Sequence, residues 1–591
     1  MAFSEKDFPM ELRVLLAFAL SALVLMLWLP IQQRFFPPPA PARQAATQAK
    51  PSAPASSPGA DAGAKAPAQA PKKARGKAGK KPAPPVATVK QASEESEAAL
   101  ENDLYRVVFS NRGAVVKSWT LKGYKDAHGR ALELVNHGPD AKLGYPFLIW
   151  VDDEELRNKL ANALFRVQAG GSRAPATVVF EFGDGTLAAR KEFRFEHNSY
   201  VAQVFSEVTN AGVPVPHQLA WRGGFGDQTV AGAYQTATVV TATAAGIDRH
   251  EYKNIKADTK YSGPFLYAGI EDLFFAVVFM PPAETPGPGT IAAAAAFRSE
   301  YQPEGAQSPI GLIGVGAGGQ ASNQLRVFVG PKAMDVLSHV CPEPGAAERA
   351  RRGQPVLTLA DLLDFGWFSF IAKPLLLALK WIHAHVVSNY GWAIVTVTVV
   401  INMLLFPLKL KSMKSAMKMQ QLAPQIKALQ EKYKKYKFND PKKQDQNKEI
   451  MDLYKRHGVN PVGGCFPMLL QIPFLYAFYK VLAISIEMRH APWFGWIRDL
   501  SAKDPYYILP IVMTLTMFLL QRMTPQTATD PAQQKMFMFM PLIFGFMFMN
   551  VSSGLVLYWL VGNLVGIAQQ WYINRTGLGA APPRKPALAA K

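Results

Sequence analysis

The chain has 591 residues, 49% of them hydrophobic and 18% charged, with a formal net charge of +20. That length exceeds what one core holds, and the composition points to a membrane protein with a soluble part. Its two cysteines, Cys341 and Cys465, fall in regions expected on opposite sides of a membrane, which excludes a disulfide between them and dithiol redox chemistry.

Residues 14–29 (VLLAFALSALVLMLWL) form an apolar run longer than a signal-peptide core, with only a weak Ala40-Pro41-Ala42 imitation of a cleavage site. Residues 1–30 therefore read as an uncleaved transmembrane anchor. Residues 31–94 are almost entirely Pro, Ala, Lys, Gln and Ser, which cannot bury enough apolar surface to offset chain entropy, so a disordered tether is expected. Its lysines either touch anionic lipid or simply keep it extended.

Residues 95–355 change to short β-type runs, among them YRVVFS, AVVKSWTL, TVVFEF, EFRFEH, YVAQVF, FFAVVFM and LRVFVG. Phe193-Arg194-Phe195-Glu196 alternates cleanly, and Phe182-Gly183-Asp184-Gly185-Thr186 has hairpin-turn chemistry. The expectation is a large antiparallel β-sandwich domain. Gly314 to Gly319 matches G-x-G-x-x-G by spacing, but it leads into a strand at 325–329 instead of a helix. It reads as a flexible loop and not as a nucleotide site.

Residues 356–387 are apolar but interrupted by Lys373, Pro374 and Lys380, which suits an amphipathic helix lying in the membrane interface. His383 and His385, two apart on a helix, make a poor metal pair. Residues 388–410 are long enough to span a bilayer and carry Asn402 near their middle. Thr398, Asn402 and Lys409 stand at i, i+4 and i+11, one stripe ending in a cation just past Pro407.

Residues 411–458 form a basic helical hairpin broken at Asn439-Asp440-Pro441, with Leu422, Ile426, Leu429, Tyr433 and Tyr436 on one arm and Ile450, Leu453 and Tyr454 on the other. Between Lys409 and Arg456, thirteen lysines and one arginine face five acidic residues, a local net of +9. By the positive-inside rule this loop is cytoplasmic, which places the β domain and, through one anchor, the N-terminus. Residues 465–573 supply transmembrane helices 3–6, and 574–591 a cytoplasmic tail. The last two apolar runs, 536–549 and 555–568, are each about 21 Å of helix, short enough to imply a thinned bilayer.

An enzyme would need a nucleophile, a base or a metal set, and no recognisable spacing supplies one. A transporter would need internal repeats or intramembrane ionisable groups, and the spans offer Thr398, Asn402 and Gln471 as clear polar candidates. Many methionines, such as Met403, Met468, Met513 and Met540, either fill gaps between membrane helices or form an adaptable surface for varied apolar segments.

Several strings carry a resemblance: Lys380-Trp-Ile-His383, Asn460-Pro-Val-Gly-Gly-Cys-Phe-Pro467 with Gln471-Ile-Pro473, Asp499 to Pro510, Thr529 to Lys535, and Ser553 to Tyr558. With these the chain resembles the YidC membrane-protein insertase family of Gram-negative bacteria, closely over 360–575 and more loosely in the β domain. The resemblance implies a polytopic α-helical membrane protein of six spans, with a five-helix core holding a hydrophilic groove and a large periplasmic antiparallel β-sandwich domain. It implies no enzyme activity and no cofactor or metal. It implies cell inner-membrane localisation with both termini cytoplasmic.

The implied function is to take nascent hydrophobic segments from the cytoplasm through the groove into lipid, alone or with the Sec translocon. Implied partners are nascent membrane proteins, the Sec translocon, the ribosome and anionic phospholipids, with no specific nucleic-acid sequence. The matching groove positions are Thr398, Asn402, Gln471, Tyr558 and Trp559. Lys427, Lys432, Lys434 and Lys435 lie in the cytoplasmic hairpin, which is either a topology determinant or a contact for ribosome or anionic lipid.

The family usually carries arginine, sometimes lysine, where this chain has Asn402. Lys409, seven residues on, is the candidate cation at the groove mouth. A different class of function makes the membrane part a mere anchor for a periplasmic carbohydrate-binding or sugar-active domain.

Overall fold

The computed structural model describes residues 89–229, 237–282, 291–305, 308–340, 358–436, 440–458, 466–525 and 531–576. The expected anchor at 14–29, both cysteines and almost all of the expected tether lie outside them.

The β domain has three sheets among the described residues, and every ladder between their strands is antiparallel. Glu97–Glu101, Tyr105–Ser110, Val115–Lys125 and Ala131–Glu133 form a four-stranded meander. A ten-stranded sheet is centred on Phe275–Met280, Ser322–Pro331, Val201–Asn210 and Leu187–Phe195. A five-stranded sheet runs Thr259–Phe265, Ile291–Tyr301, Ile310–Gln320, His217–Trp221 and Leu148–Trp150 in spatial order.

Alternation puts Phe193 and Phe195 inward, where they meet Phe109 of the meander at 4.9 and 6.1 Å between ring centroids. Phe147 joins Phe193 at 5.4 Å and Trp221 at 6.1 Å, so residues from all three sheets share one core. The Asp184 turn forms as its sequence suggests: the carboxylate accepts from Thr186 N and Leu187 N at 2.9 and 2.7 Å.

One sequence expectation is overturned here. Gly314 to Gly319 lie inside the strand Ile310–Gln320, paired on both sides, and not in a flexible loop. A Cβ at Gly314 would stand 2.4 Å from the Trp221 carbonyl oxygen, and one at Gly316 2.8 Å from Gln218 Oε1. Glycine is needed there for close approach between strands.

Helices α1 (His137–Leu143), α2 (Glu154–Asn162) and α3 (Met334–Leu337) are short elements of the β domain. Two 3-10 turns then lead into α4 (Ser369–His385), which buries Ala372, Leu375, Leu376, Leu379 and Ile382 and exposes Trp367, Phe370, Leu377 and Trp381 around it. Next come α5 (Tyr390–Leu404), α6 (Phe406–Lys432), α7 (Pro441–Arg456), α8 (Phe466–Ile484), α9 (Ile508–Met523), α10 (Pro531–Phe548) and α11 (Ser553–Thr576).

Among the described residues no single helix is long and apolar enough to cross a membrane, but α5 and α6, bent by 55°, pass together. The bend follows from Pro407, which lacks an N–H and whose ring collides with the carbonyl four residues back, on Met403. Lys409 therefore sits on α6, not on a continuation of α5, and α6 runs through the expected junction at 410–411. Helix α11 has 24 residues, about 36 Å, and α10 has 18, about 27 Å, both longer than their apolar runs suggested. The added residues are largely polar, Gln533, Gln534 and Lys535 in α10 and Gln569, Gln570, Asn574 and Arg575 in α11, so the apolar runs themselves stay as short as the sequence indicates.

Helices α6 and α7 pair through Met419, Leu422 and Ile426 against Ile450, Leu453 and Tyr454. Asp440 caps α7 by accepting from Lys442 N at 3.0 Å, just before Pro441 at the first helical position.

Candidate functional site

One group of polar side chains in the helical core lies at the C-terminal end of α5. The Thr398 hydroxyl is buried and donates to Ile394 O at 2.6 Å, which satisfies it within its own helix. Asn402 Nδ2 likewise donates to Thr398 O at 2.8 Å, leaving Asn402 Oδ1 to accept from Lys409 Nζ at 2.6 Å. Because the chain bends at Leu405, the Asn402 carbonyl comes within reach of Gln569 Nε2 on α11, which donates to it at 3.1 Å. The bend, and not helical spacing, thus brings the cation to the amide.

Gln471 on α8 interacts with the Tyr558 hydroxyl, and the Tyr558 ring stacks on Phe478 with centroids 4.0 Å apart. Trp559 points elsewhere, packing against Phe544 and Phe548 of α10 at 5.7 and 5.1 Å. The expected groove residues thus fall into three places: Thr398, Asn402 and Lys409 together, Gln471 with Tyr558, and Trp559 against α10.

Sequence reasoning missed the polar face of α11. Asn563 Nδ2 donates to Met513 O and Thr516 Oγ1, both at 3.3 Å, and Gln570 Nε2 donates to Asn574 Oδ1 at 2.8 Å. Asn563, Gln570 and Asn574 stand at i, i+7 and i+11 on one polar stripe, Asn563 and Asn574 both donating to carbonyls of α9, while Gln569 lies on a different face, toward α5. Reading the last span as ending near Ala568 hid that signal.

The other end of the bundle is closed by main chain. The first N–H groups of a helix lack intrahelical partners. At α11 they are met by carbonyls of the 485–507 loop: Ser553 N and Oγ donate to Ala502 O at 2.7 and 2.8 Å, and Gly554 N to Leu500 O at 2.9 Å. Buried Asp504 holds that loop in shape, accepting from Trp496 Nε1, Tyr506 N and Leu509 N at 3.0, 3.0 and 2.7 Å.

In the α6–α7 hairpin, Lys432 Nζ pairs with Glu449 at 3.0 Å, and the Tyr433 hydroxyl donates to the same carboxylate at 2.8 Å. Lys435 lies 5.3 Å from the Tyr436 ring, while Lys427 and Lys434 are exposed.

Outward positions of the bundle are Val400, Leu404, Ile511, Leu515, Leu542 and Phe546, a surface suited to lipid. A helical bundle with an apolar outer surface and buried polar side chains on α5 and α11, joined at its α11 N-terminal end to a loop that a β domain contacts, is the architecture of a membrane-embedded helical core carrying a β-rich domain.

Comparison with known proteins narrows this class. Residues 97–378 match the YidC periplasmic domain model and residues 381–579 the 60Kd inner membrane protein model. The membrane protein insertase YidC of Geotalea daltonii is 36% identical over 510 residues, covering 83% of this chain and 89% of that protein. That of Syntrophus aciditrophicus is 32% identical over 580 residues, covering 96% and 100%. A crystal structure of an active YidC insertase with its first transmembrane domain resolved aligns over 83% of this chain and 96% of its own, at 18% identity and a TM-score of 0.33. The family assignment does not rest on that alignment. This chain belongs to the YidC membrane protein insertase family. It is an inner-membrane protein with a helical membrane core and a periplasmic β-rich domain.

Proposed function

We propose that the chain is a membrane protein insertase whose substrate, a nascent hydrophobic segment, enters at the Asn402–Lys409–Gln569 recess from the cytoplasm and leaves sideways into lipid. The family membership carries the activity. The contact that supports the route is Lys409 Nζ on Asn402 Oδ1 at 2.6 Å, which holds a basic side chain against a buried amide at the bend between α5 and α6.

A polar or charged flank at the bilayer centre costs on the order of 2.5–3.5 kcal/mol per charged residue. Asn402, Gln569 and Lys409 lower that cost over the cytoplasmic part of the path by hydrogen bonding and hydration. The apolar segment then leaves downhill, by burial of its surface in lipid. No nucleotide or covalent step is needed.

This reading keeps six spans around a five-helix core, with both termini cytoplasmic and the α6–α7 hairpin at the recess mouth. Lys427 and Lys434 of that hairpin are exposed cations suited to ribosomal or anionic-lipid phosphate. Cooperation with the Sec translocon fits the same lateral exit. Lys409 then does the work of the family's groove cation in place of Asn402.

The test is insertion into proteoliposomes of two substrates that differ only in a neutral or an acidic translocated flank. Lys409→Gln is expected to slow the acidic substrate about tenfold and the neutral one less than about threefold, the signature of one charge–charge term. Equal slowing of both would remove the charge role of Lys409.

A further inference from the structure

The loop that closes the periplasmic end of the core is itself gripped by the β domain. It leaves α8 with Ile486 buried in the inner core of the β domain, while Met488, two residues on, is buried in a second core that joins Val240, Val278 and Phe328 of the ten-stranded sheet to the helical bundle. Between them, Glu487 accepts from Lys380 Nζ of α4 at 3.0 Å, and the same ammonium pairs with Asp335 of α3 at 3.0 Å.

Arg489 completes the grip. Its guanidinium pairs with Asp227, with side chains only 5% and 6% exposed, and lies 5.9 and 5.4 Å from the Phe274 and Phe275 rings. Asp227 is fixed in turn, accepting from Thr229 N at 2.9 Å and Thr229 Oγ1 at 2.6 Å.

The next residue, His490, is held at φ +56°, a left-handed conformation that a non-glycine side chain keeps only when its flanks impose it. One step further, the Ala491 carbonyl accepts from Leu500 N at 3.0 Å, and the Leu500 carbonyl is one of the two that cap α11. A short run of main chain thus connects a buried ion pair on the β domain to the seal over the recess.

We propose that Arg489 and Asp227 form a clamp through which the β domain holds the periplasmic seal shut, making Arg489 a positioning residue for insertion. Its meaning for transport rests on the insertase reading; its geometry does not. Removing one partner of a buried ion pair leaves an uncompensated charge and is strongly unfavourable, so the loop relaxes away from its site when either side is neutralised.

The test reads the seal directly. In the full-length chain with Cys341→Ser and Cys465→Ser, Val556→Cys, on the first turn of α11 and buried beneath the seal, places a thiol there without removing a sealing contact. Its rate of labelling by a membrane-impermeant maleimide added from the periplasmic side is measured without any substrate. Arg489→Gln and Asp227→Asn are each expected to raise that rate about tenfold, the double variant to be no faster than either single, and Arg489→Lys to stay within about twofold of the parent, as coupled residues behave in a mutant cycle. Unchanged labelling in folded single variants, or additive effects in the double, overturns the clamp. Insertion is assayed separately, so a failed insertase reading would show as absent insertion by the parent whatever the labelling gives.

Discussion

Lys191 in the β domain and Lys409 in the helical core are both lysines drawn away from solvent, and they are held in different ways. Lys191 Nζ donates to three main-chain carbonyls, Gly113 O, Ala114 O and Phe147 O, at 3.0, 2.8 and 2.6 Å. An ammonium has three donors, so it is saturated. Lys409, among the described residues, gives one hydrogen bond, to Asn402. Two donors remain for water or a passing acceptor. In the β domain a buried cation ties strands together, whereas in the core a half-buried cation keeps capacity in reserve. Spare hydrogen-bonding capacity in an apolar setting is costly, and in the proposed function it is what a substrate's polar flank would use.

The comparison can be broken at Lys191. Lys191→Met keeps the unbranched apolar stem but lacks the ammonium and strands three buried carbonyl oxygens, with an expected loss of about 3 kcal/mol from the stability of the β domain. A denaturant titration of the full chain followed by tryptophan fluorescence, with Trp119 in the same core, checks this. An unchanged midpoint would mean that Lys191 is not the tie described.

A smaller effect sharpens the same contrast through pH. Burial pushes the His217 imidazole down to about 4, despite the Val215 carbonyl that favours its protonated form. Burial pushes the Asp272 carboxyl up to about 6, against the Phe275 and Phe274 N–H groups that favour the anion. The two signs oppose each other. His217 contributes stability above pH 6.5 that is lost as pH falls through about 4. Asp272 contributes stability below pH 3.8 that is lost as pH rises through about 6.

Relative to the parent, Asp272→Asn should make β-domain stability climb more steeply with pH between 4 and 6. His217→Gln should flatten it between 4 and 6.5. Each change is at most about 1.4 kcal/mol per pH unit, one proton's worth. Denaturation midpoints at several pH values measure both slopes, and changes of the same sign would refute the assignment.

Much of the β domain was legible in the sequence, because one-in, one-out runs such as Phe193-Arg194-Phe195 have a single face to bury. Ile291–Tyr301 and Ile310–Gln320 were not, because alanine and glycine carry little strand signal and their register depends on close neighbours such as Trp221 and Gln218. In the core, Thr398, Asn402 and Gln471 stood out as polar groups in apolar runs. Spacing placed Lys409 on the same stripe as Asn402 but at the groove mouth; their direct contact was not legible, since it comes with a 55° bend that spacing along one straight helix cannot express. Gln569 and the Asp227–Arg489 pair were invisible, being contacts between segments 167 and 262 residues apart.

Site-specific photocrosslinking tests the central claim most directly. A photoreactive residue is placed in turn at Asn402, Gln471 and Gln569, and at lipid-facing Leu515 as control, and the protein is offered a stalled nascent chain bearing one hydrophobic segment. Strong crosslinks from Asn402 and Gln569, with weaker ones from Gln471 and none from Leu515, would place the substrate in the cytoplasmic-side recess. Crosslinks as strong from Leu515 as from Asn402 would mean that substrate meets the core through lipid, and would contradict the account.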